Sequence, residues 1–206
     1  MTNLPNFEFE TKLHKQGYQN VAGVDEVGRG PLAGPVYAAA VILGPGKIPM
    51  GLNDSKKLSA KNRSSVLESI LEYADVSIAS ASEREIEQIN ILQASHLAMV
   101  RAVAGLKKKP DYVLVDGNLI PQDLGIPTTA MIKGDARSLS IAAASIVAKV
   151  KRDLVMSDLA QHYPGYGWAK NAGYPTTEHL KALQDLGVTP HHRRTFKPVH
   201  NILYQV

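Results

Sequence analysis

The 206-residue chain contains no cysteine. Disulfides, thiolate metal sites and cysteine nucleophiles are thereby excluded, and a reducing cytoplasm is the expected location. Long apolar runs are also missing. One of the longest, Val36–Leu43, falls far short of the roughly 20 residues that cross a bilayer, so no membrane association is expected. The opening segment MTNLPNFEFETKLHKQ has neither an apolar h-region nor a small-residue cleavage site, which argues against a secretory signal. No low-complexity stretch, internal repeat or linker interrupts the sequence. Residues 1–206 are therefore expected to form a single domain, with a helical C-terminal part from about residue 165. Nothing points to an oligomer, and a monomer is expected. A large charge of one sign is absent too: the net charge is +4 and the isoelectric point about 9.2.

What is present suits a soluble protein with a sizeable core, at 44% apolar and 20% charged residues. The basic residues gather at Lys56, Lys57, Lys61 and Arg63, at Lys107–Lys109, and at His191-His192-Arg193-Arg194 with Lys197. Such clusters suit a phosphate backbone, or simply a solvated face. Val21–Val24 and Val36–Leu43 read as strands joined by a glycine-rich turn. Ser59–Tyr73 has helical spacing with Ser59 as cap, Val76–Ala81 reads as a third strand, and Ser82–Glu85 has the capping-box pattern. An apolar-periodic helix follows over Ile91–Leu106, then strands at Tyr112–Val115 and Thr128–Ile132. Ser138–Leu159 is the longest helical pattern, apolar nearly all round in its first half, so it is expected to lie against a sheet. Thr177–Leu186 is a last amphipathic helix. Paired strands followed by alternating strands and helices describe an α/β domain with a mixed sheet.

Carboxylates fall at the ends of these inward elements. Asp25, with Glu26 beside it, follows the first strand; Asp116 follows Tyr112–Val115; Asp153 lies on the long helix. Acids drawn toward a core are costly unless paired, protonated or holding a cation. Oxygen donors without cysteine favour Mg²⁺ or Mn²⁺, and convergence of several would suit a two-metal phosphodiesterase. Each acid also has a structural reading. Asp116-Gly117 is a common turn, and Asp153, after Lys151-Arg152, suits a surface ion pair. Asp25 and Glu26, adjacent on a strand, should point to opposite faces unless the strand ends or bulges there.

Residues 21–36, VAGVDEVGRGPLAGPV, resemble the signature of the ribonuclease HII family. The resemblance continues in order through Asn53-Asp54-Ser55-Lys56-Lys57-Leu58, Val113–Gly117, Lys133-Gly134-Asp135, Ala142–Lys149 with Arg152-Asp153, Gly173-Tyr174-Pro175 and His191–Arg194. It spans about Val21 to Val199. It implies a ribonuclease H-like fold: a mixed five-stranded sheet flanked by helices, with a small C-terminal helical appendage. Asp25, Glu26, Asp116 and Asp153 are implied as the catalytic carboxylates, holding two Mg²⁺ or Mn²⁺ ions. The implied substrates are RNA–DNA hybrids and duplex DNA containing a ribonucleotide. The RNA strand is cut to leave 3′-hydroxyl and 5′-phosphate ends, with incision 5′ of a single embedded ribonucleotide.

Gly28-Arg29-Gly30 lets the backbone approach a sugar closely, and the resemblance assigns that approach to the ribose 2′-hydroxyl. Tyr174 resembles the family's sugar-packing tyrosine, although such a Tyr read alone is more often half-buried structure. Lys56 resembles a phosphate contact. Asp135 opens the long helix as a cap in this reading, and Asp153 is preferred as the fourth ligand. His191 and His192 read as structural or phosphate contacts, since their spacing suits no zinc site. Ribonuclease HIII is disfavoured by its different tripeptide and by the roughly 20 residues before Val21. Another nuclease of the same fold has no evident use for Gly28-Arg29-Gly30 and Tyr174. A non-catalytic hybrid-binding protein predicts a lost carboxylate, whereas all four are present.

Overall fold

A computed structural model describes residues 4–205. In chain order the elements are α1 (Glu8–Lys15), β1 (Val21–Val27), β2 (Val36–Leu43), α2 (Ala60–Tyr73), β3 (Ala74–Ala81), α3 (Glu83–Ala104), β4 (Tyr112–Asp116), β5 (Thr128–Met131), α4 (Leu139–His162), α5 (Trp168–Asn171), α6 (Thr177–Leu186) and α7 (Lys197–Tyr204). The strands form one sheet in the order β3-β2-β1-β4-β5. β1–β2 and β2–β3 are antiparallel, whereas β1–β4 and β4–β5 are parallel. The expected mixed five-stranded sheet with flanking helices is therefore present.

Alternation along the strands sorts side chains into two cores. Ala22, Val24, Ala38, Ala40, Val113 and Val115 face α3, where they meet Ile86, Ala94, Ala98 and Ala102. Ala39, Val41 and Leu43 face the other way, onto Ala143, Ala144, Ile146 and Val147 of α4 and Ile70 of α2. The alanine-rich start of α4 lies so close to β1 that a Cβ on Gly23 would stand 2.2 Å from the carbonyl carbon of Ser140. A residue with no side chain is what permits this approach.

The caps follow the sequence signals. Ser59 Oγ accepts from the Asn62 amide, and Ser82 with Glu85 completes both halves of a capping box. The expected break between two helical segments at 91 is a kink inside α3. Asn90 takes a left-handed φ of 64°, and its side chain accepts from the amides of Leu92 and Gln93 to restart the helix. One expectation is corrected at α4: Ser138 caps it by accepting from Ile141, while Asp135 sits earlier, in a separate helical turn over Gly134–Ala136. Helix α1 packs only Phe9 and Leu13 into an apolar cluster with Val21, Leu114 and Ile141. Its buried Glu10 also accepts from Ser138 Oγ at 2.6 Å and from the Ser140 amide at 3.0 Å, fastening the start of α4.

Candidate active site

The parallel strands β1 and β4 are in register from Val21↔Tyr112 to Val24↔Val115, and β4 pairs with β5 as far as Asp116↔Met131. Their carboxyl ends therefore stand side by side, the place where open α/β sheets present ligand sites. Asp25 and Asp116 emerge there from neighbouring strands. The turn after β5 follows, with Lys133 left-handed at φ 56°, and it folds Asp135 over the same edge. Asp116 Oδ1 accepts from the Gly134 amide at 2.6 Å, which ties this turn to the end of β4.

The electrostatics show which acids are neighbours. Asp25, only 8% exposed, has its pKa pushed well up, first by burial and then by the charges of Glu26, Asp116 and Asp135. Glu26 is raised by burial and by Asp116, against the pull of Arg29, whose guanidinium lies 3.5 Å away. Asp135 is raised by burial, Asp116 and Asp54, and Lys56 opposes that rise. For Lys56 burial disfavours the ammonium, but Asp135, Asp25, Asp54 and Asp116 together outweigh it and raise the pKa. Asp54 positions this lysine as well, since its Oδ1 accepts from the Lys56 amide at 2.9 Å.

The side chains of Asp25 and Glu26 do leave on opposite faces, because β1 continues unbulged to Val27. Glu26 lies on the α3 side, in a cleft of about 60 Å³ shared with Arg29, Ser95, His96 and Asp116. It still senses Asp116 because β4 ends there, so no further strand separates the two faces.

Asp153 does not join this group. Its charge is not among those that shift Asp25, Glu26 or Asp135. Its oxygens are engaged by Lys149 Nζ at 2.6 Å and Arg63 Nη2 at 3.7 Å, which clamps α4 to α2. Where the sequence reading prefers Asp153 over Asp135, the structure places Asp135 beside Asp25 and Asp116 and Asp153 in an ion pair. The readable signal was topological. A residue just after a strand parallel to β4 must surface at the same sheet end as Asp116.

The expected sugar-binding segments do meet. A Cβ on Gly30 would stand 3.4 Å from Cε1 of Tyr174, whose residue is 43% exposed, and the Leu32 amide donates to the Gly173 carbonyl at 2.8 Å. Beneath Tyr174 lies a chain of neutral imidazoles. The Thr189 amide donates to His192 Nδ1, so His192 Nε2 carries the proton facing His179 Nε2 at 3.1 Å. Trp168 Nε1 also donates to His179 Nε2, which leaves His179 Nδ1 to donate to the Tyr174 carbonyl. Burial lowers both histidines, and the nearby His179 and His191 help lower His192 to about 3. His192 and Arg193 are fully buried, so the C-terminal basic cluster is only in part a surface patch. Sequence reasoning did not single out His179, and it gave Asp54 no role beyond its place in the Asn53–Leu58 motif.

The donor set at the sheet end consists of carboxylate oxygens, the chemistry that suits hard divalent cations. Among the described residues no three acids or histidines already form a closed metal cage; the carboxylates are neighbours in charge rather than a finished coordination shell. They fit a cation because four like charges share one sheet end, with Lys56 and Arg29 as the cations beside them.

The sequence and the fold both have known relatives. A family model described as Ribonuclease HII matches residues 22–199. The chain is 65% identical to ribonuclease HII of Ruegeria pomeroyi, over 98% of this chain and 86% of that relative. It is 61% identical to the ribonuclease HII of Paracoccus denitrificans, over 98% of this chain and 96% of the relative. Among solved structures it resembles ribonuclease H2 from Pyrococcus horikoshii, with a TM-score of 0.76 and 27% identity, covering 90% of this chain and 98% of that one.

Proposed function

The chain belongs to the ribonuclease HII family, and from that premise we propose that its four sheet-end carboxylates hydrolyse the RNA strand of hybrids and incise 5′ of single ribonucleotides in duplex DNA. It is an endoribonuclease with the ribonuclease H-like fold. The observation that carries the finer reading is the placement of Asp25, Glu26, Asp116 and Asp135 around one sheet end. These would hold two Mg²⁺ or Mn²⁺ ions, with Asp153 outside the set. When bound, such ions supply a water of lowered pKa and neutralise charge at the attacking and leaving oxygens.

The chain's own groups have distinct parts. Lys56 brings a positive charge to the edge of the carboxylates, where a substrate phosphate would otherwise meet only negative charge. Gly28-Arg29-Gly30 and Tyr174 meet at Gly30, so a ribose can be read by backbone and flanked by a ring in one place. Arg29 holds Glu26 through their ion pair. Cleavage to a 3′-hydroxyl and 5′-phosphate breaks the P–O3′ bond on the 5′ side of the ribonucleotide. The recognised 2′-hydroxyl then belongs to the nucleotide after the cut, and water is the nucleophile. The protein works as a cytoplasmic, monomeric single domain in this reading; no helix among the described residues is long and apolar enough to cross a membrane.

A duplex DNA with one ribonucleotide, end-labelled on the ribonucleotide strand, tests this. With Mg²⁺ or Mn²⁺ the expected product ends one nucleotide before the ribonucleotide, with a 3′-hydroxyl, and EDTA abolishes it. Cutting on the 3′ side, a 3′-phosphate end, or full activity in EDTA would overturn the reading.

A further inference from the structure

We propose that Arg193 is a positioning residue for ribose recognition, its buried guanidinium fixing the orientation of the Gly28-Arg29-Gly30 backbone. The inference rests on the function proposed above and concerns a residue outside the carboxylate site. Arg193 and its neighbour Arg152 are both 0% exposed, and among the described residues neither forms a salt bridge. Their bonds go instead to backbone carbonyls. Arg193 donates from Nη2 to Gly28 at 2.6 Å, from Nη1 to Arg29 at 3.0 Å and from Nε to Gly34 at 2.9 Å. Arg152 donates to Pro35, Ala172 and Ala33 at 2.9–3.0 Å, which joins the same loop to the segment that carries Tyr174.

Burying a cation without a carboxylate partner is costly, and an apolar side chain of similar volume would serve packing alone. Nor is the guanidinium needed to hold residue 193 in place. The main chain already does so: the Arg193 amide donates to the Leu32 carbonyl and the Gly34 amide to the His191 carbonyl. What a guanidinium uniquely supplies is a rigid planar fork of donors. In a trans peptide the C=O and N–H point in opposite directions. With the Gly28 and Arg29 carbonyls drawn onto Arg193, the amides of Arg29 and Gly30 must point away from it. Among the described residues neither amide is donated to another protein group. They are two oriented donors beside the spot where Gly30 meets Tyr174, suited to a sugar hydroxyl.

The test uses Arg193→Lys, which keeps the charge and loses the fork, and Arg193→Met, which avoids an unpaired buried charge. For each, KM is measured on the duplex with one ribonucleotide and Ki for the all-DNA duplex of the same sequence as competitor. Loss of folded protein lowers the apparent kcat but cannot move the ratio of KM to Ki. We expect that ratio to rise about tenfold, the worth of roughly one hydrogen bond, with Ki for DNA unchanged. A ratio within about twofold of wild type in a folded variant, or failure of both variants to fold, would overturn the role of Arg193. A wild-type protein that does not cut the ribonucleotide duplex would instead overturn the functional reading itself, and the inference with it.

Discussion

Tyr174 turns its ring to the surface instead of burying it in a core. Its ring lies exposed against Gly30, while its carbonyl is fixed from below by His179. Tyr174→Ala removes the ring and leaves that backbone bond in place. Incision at a single ribonucleotide should therefore fall about tenfold or more, on the scale of 1–3 kcal/mol for a stacked aromatic. The unfolding midpoint in denaturant should hardly move. Equal activity of wild type and variant on that substrate would remove the ring from the site. The motif around Tyr174 was legible from its glycine and proline neighbours, but its support was not. His179 and Trp168 lie on helices whose sequence distance from Tyr174 carries no spacing signal. Asp153 and Asp135 teach the same lesson. Both are acids in recognisable motifs, and only strand order decides which one reaches Asp116.

At the scale of elements, α4 and β1 depend on one glycine. A Cβ at Gly23 would overlap the backbone of Ser140, which no rotamer change can relieve. Gly23→Ala should destabilise the fold by about 1–3 kcal/mol or more, read as a lower midpoint in urea at unchanged slope. An unaltered midpoint would mean that α4 is free to retreat from β1. The imidazole pair joining α6 to the 189–192 turn makes stability depend on pH. His192 titrates near 3 in the fold, below the ordinary 6.5, so the unfolded chain takes up its proton first. Stability from this pair is complete above about pH 6.5 and is lost as pH falls toward 3. Thermal midpoints taken from pH 7 down to 5 should fall, and fall less steeply in His192→Gln. Parallel curves for the two proteins would contradict the assignment. Most elements here were legible in the sequence: period, caps and turn residues marked α2, α3, α4, α6 and all five strands. Helix α1 escaped because its apolar face is only Phe9 and Leu13, with a carboxylate buried between them, and the short α5 presents too few turns for a periodicity.

For the whole molecule, the decisive feature is that three parallel strands end at one place. β1 delivers Asp25 and Glu26, β4 delivers Asp116, and the turn after β5 delivers Asp135. Sequence supplied the fold class and three of these acids, since each motif sits at the end of an apolar run. It did not supply the fourth, because neighbourhood across a sheet is set by pairing order rather than by distance along the chain. The two buried arginines were likewise hidden, since a run of basic residues looks like surface until a core closes over it.

The central claim is the membership of the carboxylate cluster, and parallel measurements on three variants test it most directly. Asp116→Asn, Asp135→Asn and Asp153→Asn are compared with wild type for kcat/KM on a duplex with one ribonucleotide, in Mg²⁺ and in Mn²⁺. Removing a charge that acts on the transition state should cost about 10²-fold or more, as for other electrostatic contributions to catalysis. The cluster predicts that loss for Asp116→Asn and Asp135→Asn, and less than about tenfold for Asp153→Asn, which breaks only a partly exposed ion pair. Activity that survives in Asp135→Asn and disappears in Asp153→Asn would contradict it.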